Sequence, residues 1–197
     1  MNIVDRAKNI ILTPKTEWPA IAAEQANVGQ IITGYVIPLA LIPALALIIG
    51  WGVIGQGIIV SFTWGLAIAI ETFIGALVGV FVSAWVVDIL APNFASEKNF
   101  GRSVQLIAYS YTPAWIAGVL NIVPLLGTLA TIASLYGLYL LYLGVPVLKK
   151  TPQDKVVVYL IVSIVVVIVV SVILAAVLTP IVLGIFGLSA LSMLGRP

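Results

Sequence analysis

GIIVSFTWGLAIAIETFIGALVGVFVSAWVV, residues 57–87, is a long apolar run that carries one charge, Glu71. About 20 such residues span the ~30 Å of bilayer hydrocarbon, so the stretch reads as a membrane helix. A carboxylate at that depth costs about 3 kcal/mol on insertion scales and normally faces a partner, a cavity or a pathway. Glu71 also begins a ladder at i+4 steps, continued by Gly75, Gly79 and Ser83. Small residues in that register let another helix approach closely. The stripe permits packing inside a bundle or a homodimer, and internal packing is the stronger expectation.

Composition extends this reading to the whole chain. Of 197 residues, 62% are hydrophobic and 8% charged, and the mean hydropathy is +1.22. Soluble domains carry about 25% charged residues, so this composition cannot build a water-facing surface. The net charge of +2 is too small to suggest nucleic acid. There is no cysteine and no histidine. Thiol nucleophiles, disulfides and the usual zinc ligands are therefore absent, as is the commonest general base. The first long apolar segment starts near Ile31, too late for the apolar core of an ordinary signal peptide.

Five spans are expected, at about 31–51, 58–90, 104–123, 125–148 and 156–186, following a polar N-terminal segment of residues 1–28. The stretch Asn121–Gly127 is short and contains proline, which makes the third and fourth spans an antiparallel hairpin. Charge then sets the orientation. Arg6, Lys8 and Lys15 precede the first span, Lys98 and Arg102 follow the second, and Lys149, Lys150 and Lys155 follow the fourth. Only Arg196 falls on the opposite side. The positive-inside rule places the N-terminus in the cytoplasm and the C-terminus outside.

The N-terminal segment has helical periodicity of its own. Ile3, Val4, Ala7, Ile10 and Ile11 fall on one face, and Asp5, Arg6, Lys8 and Asn9 on the other. This predicts an amphipathic helix lying in the cytoplasmic interface or packed on the ends of the bundle. Pro14 ends it, and Thr16 then caps a second short helix holding Trp18, Ile21 and Ala22. The fold class expected is an all-α integral membrane bundle of five transmembrane helices with an N-terminal amphipathic interfacial helix. Pro38, Pro43, Pro113, Pro146 and Pro180 are expected to kink their spans.

Segment three is unusually polar, with Gln105, Tyr109, Ser110, Tyr111 and Thr112 ahead of Pro113 and Trp115. Buried tyrosine hydroxyls need partners, so this helix belongs in the middle of the bundle. Glu71 then has candidate partners in Tyr109, Tyr111 or Asn121, and these four residues form the candidate intramembrane polar site. Tyr136, Tyr139 and Tyr142 line one flank of segment four. The cytoplasmic charges, Arg6, Lys8, Lys98, Arg102, Lys149, Lys150 and Lys155, can pair with nearby acids such as Asp88 and Glu97, with anionic lipid, or with a protein. No paired-carboxylate, nucleophile-plus-base or phosphate-loop pattern occurs, so no catalytic residue, metal site or cofactor is expected.

Three stretches resemble one family. AYSYTPAWIAGVLNIVP (Ala108–Pro124) looks like the YGY…P motif of Yip (Ypt-interacting protein) domains, and YGLYLLYLGVPVLKKTPQDK (Tyr136–Lys155) looks like the following span and loop. IILTPKTEWPAIAAE (Ile10–Glu24) is similar to the N-terminus of prokaryotic members. The resemblance implies five spans, a cytoplasmic N-terminus and a prokaryotic plasma (inner) membrane. Eukaryotic relatives associate with Rab-type GTPases. Here the N-terminal region is short and Ser110 replaces the central glycine of YGY, so that partner is not carried over. The leading expectation is a non-enzymatic protein that organises the membrane or binds partner proteins or lipids at its cytoplasmic face. The alternative is a small transporter or channel in which Glu71 and the segment-three tyrosines line a polar path.

Overall fold

The structure, a computed structural model, describes residues 2–55 and 61–186. The expected start of the second span at Ile58, and Arg196 with the C-terminal end, lie outside the described residues. Among the described residues the chain is helical throughout, with no strand. It begins with two short helices, α1 (Ile3–Leu12) and α2 (Pro14–Ala23). The first span is one continuous helix, Val28–Ile54. Within it α3 (Val28–Ile31) and α4 (Ile37–Ile49) are joined by a widened π turn at Ile32–Val36. Pro38 explains the widening. It has no N–H to offer the carbonyl four residues back, and its ring crowds that carbonyl.

Helix α5 (Phe62–Leu90) starts where Ser61 accepts a hydrogen bond from the Trp64 N–H at 3.3 Å, and it ends in a 3-10 turn at Ala91–Phe94. Segment three breaks into α6 (Phe100–Ser110), α7 (Thr112–Ala117) and a 3-10 turn at Gly118–Ile122. Pro113 causes the break by removing the N–H that the Tyr109 carbonyl would have accepted. The Thr112 hydroxyl fills that vacancy, donating to the Tyr109 carbonyl at 2.7 Å. Segment four is α8 (Gly127–Ser134) and α9 (Tyr136–Leu148), and the last helix is α10 (Gln153–Ile185).

Among the described residues, four segments are long and apolar enough to cross a membrane: Val28–Ile54, Phe62–Phe94, Gly127–Leu148 and Gln153–Ile185. The broken third segment does not meet that measure, yet it accompanies the first span along its length and in the same direction. At one end a Cβ on Gly101 would lie 3.0 Å from the Ala26 Cβ. Further along, the Tyr35 hydroxyl meets Thr112 Oγ1 at 2.7 Å. At the other end a Cβ on Gly118 would lie 2.5 Å from the Pro43 Cβ, and one on Gly50 would lie 2.1 Å from the Asn121 carbonyl oxygen. Glycine is required at Gly50, which meets the Asn121 backbone, and at Gly118, which meets the rigid ring and Cα of Pro43.

Of the two expectations for the N-terminal helices, lying in the interface or packing on the bundle, the described residues show packing. The two helices form a hairpin docked into the side of the bundle. Trp18 is 1% exposed, and a Cβ on Gly144 would stand 2.8 Å from its ring. The Tyr136 hydroxyl donates to the Ile11 carbonyl at 2.8 Å. Since Tyr136 opens α9, the tip of the hairpin lies level with the middle of segment four. The face assignment is corrected. Arg6 is buried at 4% exposure, whereas Val4 and Leu12 are 65% and 66% exposed. Ile3, Arg6, Ala7 and Ile10 make as good a helical face as the purely apolar set, but one member is charged.

The bundle is taller than the hydrocarbon. At 1.5 Å per residue α5 is about 44 Å long and α10 about 50 Å, against ~30 Å of acyl core. The 10-residue helices of the hairpin, each about 15 Å long, flank that surplus at the end where Asp88, Arg102 and Lys149 gather.

The two kinds of glycine differ in what they tolerate. Gly50→Ala should lower the thermal midpoint in detergent, with a loss of about 1–3 kcal/mol from overpacking against backbone. Gly75→Ala, where nothing lies within 4 Å of the added carbon, should leave it unchanged or raise it by up to about 1 kcal/mol. Equal losses at both positions would contradict the packing described.

Candidate functional site

Polar groups collect in three places. The largest collection lies between the hairpin, the first span and α6. Arg6 Nη1 donates to Glu17 Oε1 at 2.6 Å, and Arg6 Nη2 donates to Glu24. Arg6 and Glu17 are both buried, and Glu24 stays open on one side. The guanidinium lies over the Tyr109 ring, 5.4 Å from its centroid, and Tyr109 meets Tyr35 edge to face at 4.8 Å. Arg102 reaches the same region from α6. It donates to the Ile21 and Ala22 carbonyls at 3.2 and 2.9 Å and to Gln105 Oε1 at 2.8 Å. Arg102 thus caps the last carbonyls of α2, of which Ile21's also accepts the Glu24 N–H, and fixes the hairpin to α6. A cavity of about 230 Å³ opens beside Arg6, Glu24, Gln30, Tyr35, Gln105 and Tyr109.

The second collection ties α5, α6 and α9 together. Lys149 is fully buried and its ammonium donates to Asp88 Oδ1 at 2.8 Å, Ser103 Oγ at 2.7 Å and the Asn99 carbonyl at 3.2 Å. The same Asp88 oxygen accepts from the Asn99 N–H at 2.7 Å and from Ser103 Oγ at 3.1 Å. Burial lowers the Lys149 pKa below the ordinary lysine value, opposed by the hydrogen bond and charge of Asp88. Lys150, next in sequence, is exposed and pairs with Glu97 at 2.7 Å. That hydrogen bond holds the Glu97 carboxyl below its usual range.

The third collection is at Glu71. Its carboxylate accepts from the Thr179 hydroxyl of α10 and lies in a groove with Thr72, Gly75, Gly79 and Ser171. Thr179 lay outside the expected partners. Tyr111 pairs instead with Ser83 at 2.7 Å, and Tyr109 packs against Tyr35 and Arg6. Asn121 sits at the far end beside Gly50 and Gly127. Glu71 and Ser83 are 12 residues apart on one helix, about 18 Å. The polar site expected of Glu71, Tyr109, Tyr111 and Asn121 is therefore not one site, and these residues line no common cavity. Gly75 and Gly79 border the open groove and do not seat a neighbouring helix.

The expected cationic face divides in the same way. Arg6, Arg102 and Lys149 are engaged inside the protein, which corrects their assignment to an external surface. Lys8, Lys98 and Lys150 are exposed and Lys155 is half-buried. Sequence reasoning missed Glu17, Glu24, Gln30 and Tyr35 as parts of a site. No periodic signal marks the trio of Arg6, Glu17 and Glu24, because Arg6 and Glu17 lie on separate helices and Glu24 follows the end of the second.

Residues 8–175 match the Yip1 domain family. Among curated proteins, the inner membrane protein YohC of Escherichia coli K12 is 29% identical over 120 residues, and the protein of the same name from E. coli O6:H1 is equally similar. Each match covers 57% of this chain and 61% of the relative, so the chain spans about three fifths of the length of the curated relatives it matches. No solved structure matches.

The Lys149 cluster makes a sharp demand. Asp88→Asn leaves an ammonium buried without its counter-charge and should cost about 3 kcal/mol or more in denaturant or thermal unfolding. Asp88→Asn combined with Lys149→Met should recover most of that loss. Failure of the double variant to exceed the single one would show that the charge pair is not what the site depends on.

Proposed function

This chain belongs to the Yip1 domain family, and from that premise we propose a non-enzymatic, five-crossing membrane protein whose basic end engages anionic lipid headgroups and so organises the membrane around it. The observation that carries the reading is the gathering of cationic side chains at one end of the bundle. Arg102 and Lys149 brace the helices internally. Lys98 and Lys155 form no ion pair among the described residues and face outward or sit half-covered at the same end. Each lysine or arginine near an anionic bilayer surface contributes about 1 kcal/mol of attraction. The acyl chains then meet the apolar flank of α10, where Val157, Ile161, Ile168, Val172 and Ile181 are all more than half exposed.

Five crossings follow if the third segment traverses the bilayer with the first span, and the end-to-end contacts of the two support that. An odd count puts the chain ends on opposite sides, and the lysine distribution favours a cytoplasmic N-terminus. The name of the E. coli relatives supports an inner membrane as the host membrane. Nothing in the geometry joins Glu71 to the tyrosines, so a transport path receives no support from it.

The chain has no cysteine, which makes topology directly measurable. In intact cells an impermeant maleimide should label Leu125→Cys, whose parent side chain is 80% exposed in the turn before α8, and should not label Lys98→Cys until the cells are opened. Labelling of both or neither in intact cells would overturn five crossings. For the lipid reading, phosphatidylglycerol retained per protein on purification should fall when Lys98, Lys150 and Lys155 are changed together to glutamine. Unchanged retention, with a soluble protein captured through the same lysines, would favour a protein partner instead.

A further inference from the structure

The cavity beside Arg6 is not accounted for by the lysine surface. It has a volume of about 230 Å³ and is lined by Glu24, Gln25, Gln30, Gln105, Tyr109 and Gly34, among others. Two of these side chains are more than nine-tenths buried and still have unused polar atoms. Tyr109 is 7% exposed, and its hydroxyl makes no hydrogen bond among the described residues. Gln105 is 1% exposed. Its Oε1 accepts from Arg102 at 2.8 Å, while its amide nitrogen has no acceptor among the described residues. The Tyr109 hydroxyl and the Gln105 amide nitrogen are not among the fully enclosed polar atoms that lack a partner; each is open to the cavity and free to donate to an acceptor placed there.

Arg6 is shared by Glu17 and Glu24, Arg102 is the second cation of the region and is engaged by the Ile21 and Ala22 carbonyls and Gln105, and Glu24 is the carboxylate that stays open. Glu24 can therefore accept from a cationic group, and an oxyanion or phosphate oxygen suits the donors of Tyr109 and Gln105. The cavity is open in two directions. Glu24, Gln25 and Asn27 border it at the basic end of the bundle, and Gly34 borders it on the flank of the first span. No atom lies within 4 Å of where a Gly34 side chain would begin, so the flank is unobstructed. Gly34 lies six residues into that span, about 9 Å along the helix from its start, in the half nearer the basic end of the bundle.

We propose that this cavity, bounded by α1, the first span and α6, binds a zwitterion made of a primary ammonium and a phosphate, the ammonium on Glu24 and the phosphate on Tyr109 and Gln105. The lateral opening at Gly34 favours the headgroup of an ethanolamine phospholipid as its source, with free phosphoethanolamine as the soluble form of the same chemistry. Binding there does not depend on the outer lysines.

The test uses the full chain, delipidated in detergent, with lipid adducts counted by native mass spectrometry and the thermal midpoint followed in parallel. Phosphatidylethanolamine should bind at one site and raise the midpoint. Phosphatidylcholine and phosphatidylglycerol of the same acyl composition should bind more weakly. Tyr109→Phe removes one hydroxyl that no protein group uses, and should weaken the ethanolamine lipid roughly fivefold. Gly34→Leu should block the lipid while leaving the Arg6 cluster intact. If free phosphoethanolamine gives the same midpoint shift, sensitive to Tyr109→Phe but indifferent to Gly34→Leu, the site stands and its ligand comes from solution. Equal binding of all three lipids, or wild-type binding by both variants, would mean a hydrated crevice with annular lipid only and would overturn the proposal. Lysine substitutions at 98, 150 and 155 should leave this binding unchanged, which separates its failure from failure of the anionic-lipid reading.

Discussion

Lipid gives apolar helices no reason to prefer each other, because acyl chains are as good a neighbour as leucine. The helices of this bundle therefore meet where something other than apolarity holds them. Two devices do so. One is close approach through glycine, at Gly50 against the Asn121 backbone, Gly118 against the Pro43 ring and Gly137 against the Ser110 carbonyl. The other is polar satisfaction: Lys149 with Asp88, Arg102 with the end of α2, Tyr159 with the Val87 carbonyl, and Tyr35 with Thr112. Each joins elements distant in sequence, and each becomes costly if one partner is removed, because water is not there to replace it.

The same constraint explains why the charged residues are not distributed as a solvent-facing pattern. A buried ammonium is tolerated when every one of its donors is used, and Lys149 has three acceptors in reach. Its neighbour Lys150 is exposed and held only by Glu97. Exposed pairs of that kind add little stability. Adjacent lysines thus do different work, one as an internal brace and one as part of a surface.

Much of the fold was legible in the sequence. Helical membrane spans follow from hydropathy, and the break in segment three follows from Pro113 together with the polar residues before it. Family membership was legible in Ala108–Pro124 and Tyr136–Lys155. The hairpin was legible only as two helices. Its docking depends on Gly144 leaving room for Trp18 and on Tyr136 reaching Ile11, and neither pairing has a periodic signal. The inward turn of Arg6 was hidden for a related reason, since a face is read from apolar spacing and a guanidinium with two carboxylates at hand does not register as apolar. Glu71 stood out correctly as a charge in an apolar run, but a lone acid says nothing about its partner. Thr179 lies 108 residues away, in a helix otherwise made largely of valine, isoleucine and leucine.

The broken third segment also bears on how the protein is made. Gln105, Ser110 and Thr112 are buried by neighbours that come from both earlier and later in the chain, and Pro113 interrupts the backbone hydrogen bonds beside them. A stretch of that composition gains little by leaving the translocon alone. If it crosses the bilayer as the proposed fifth span, its insertion is a cooperative act that needs the first span to lie beside and the helices after it to have been synthesised. Biogenesis of this chain is then not a string of independent stop-transfer decisions, and a lesion in a late helix can strand an early one.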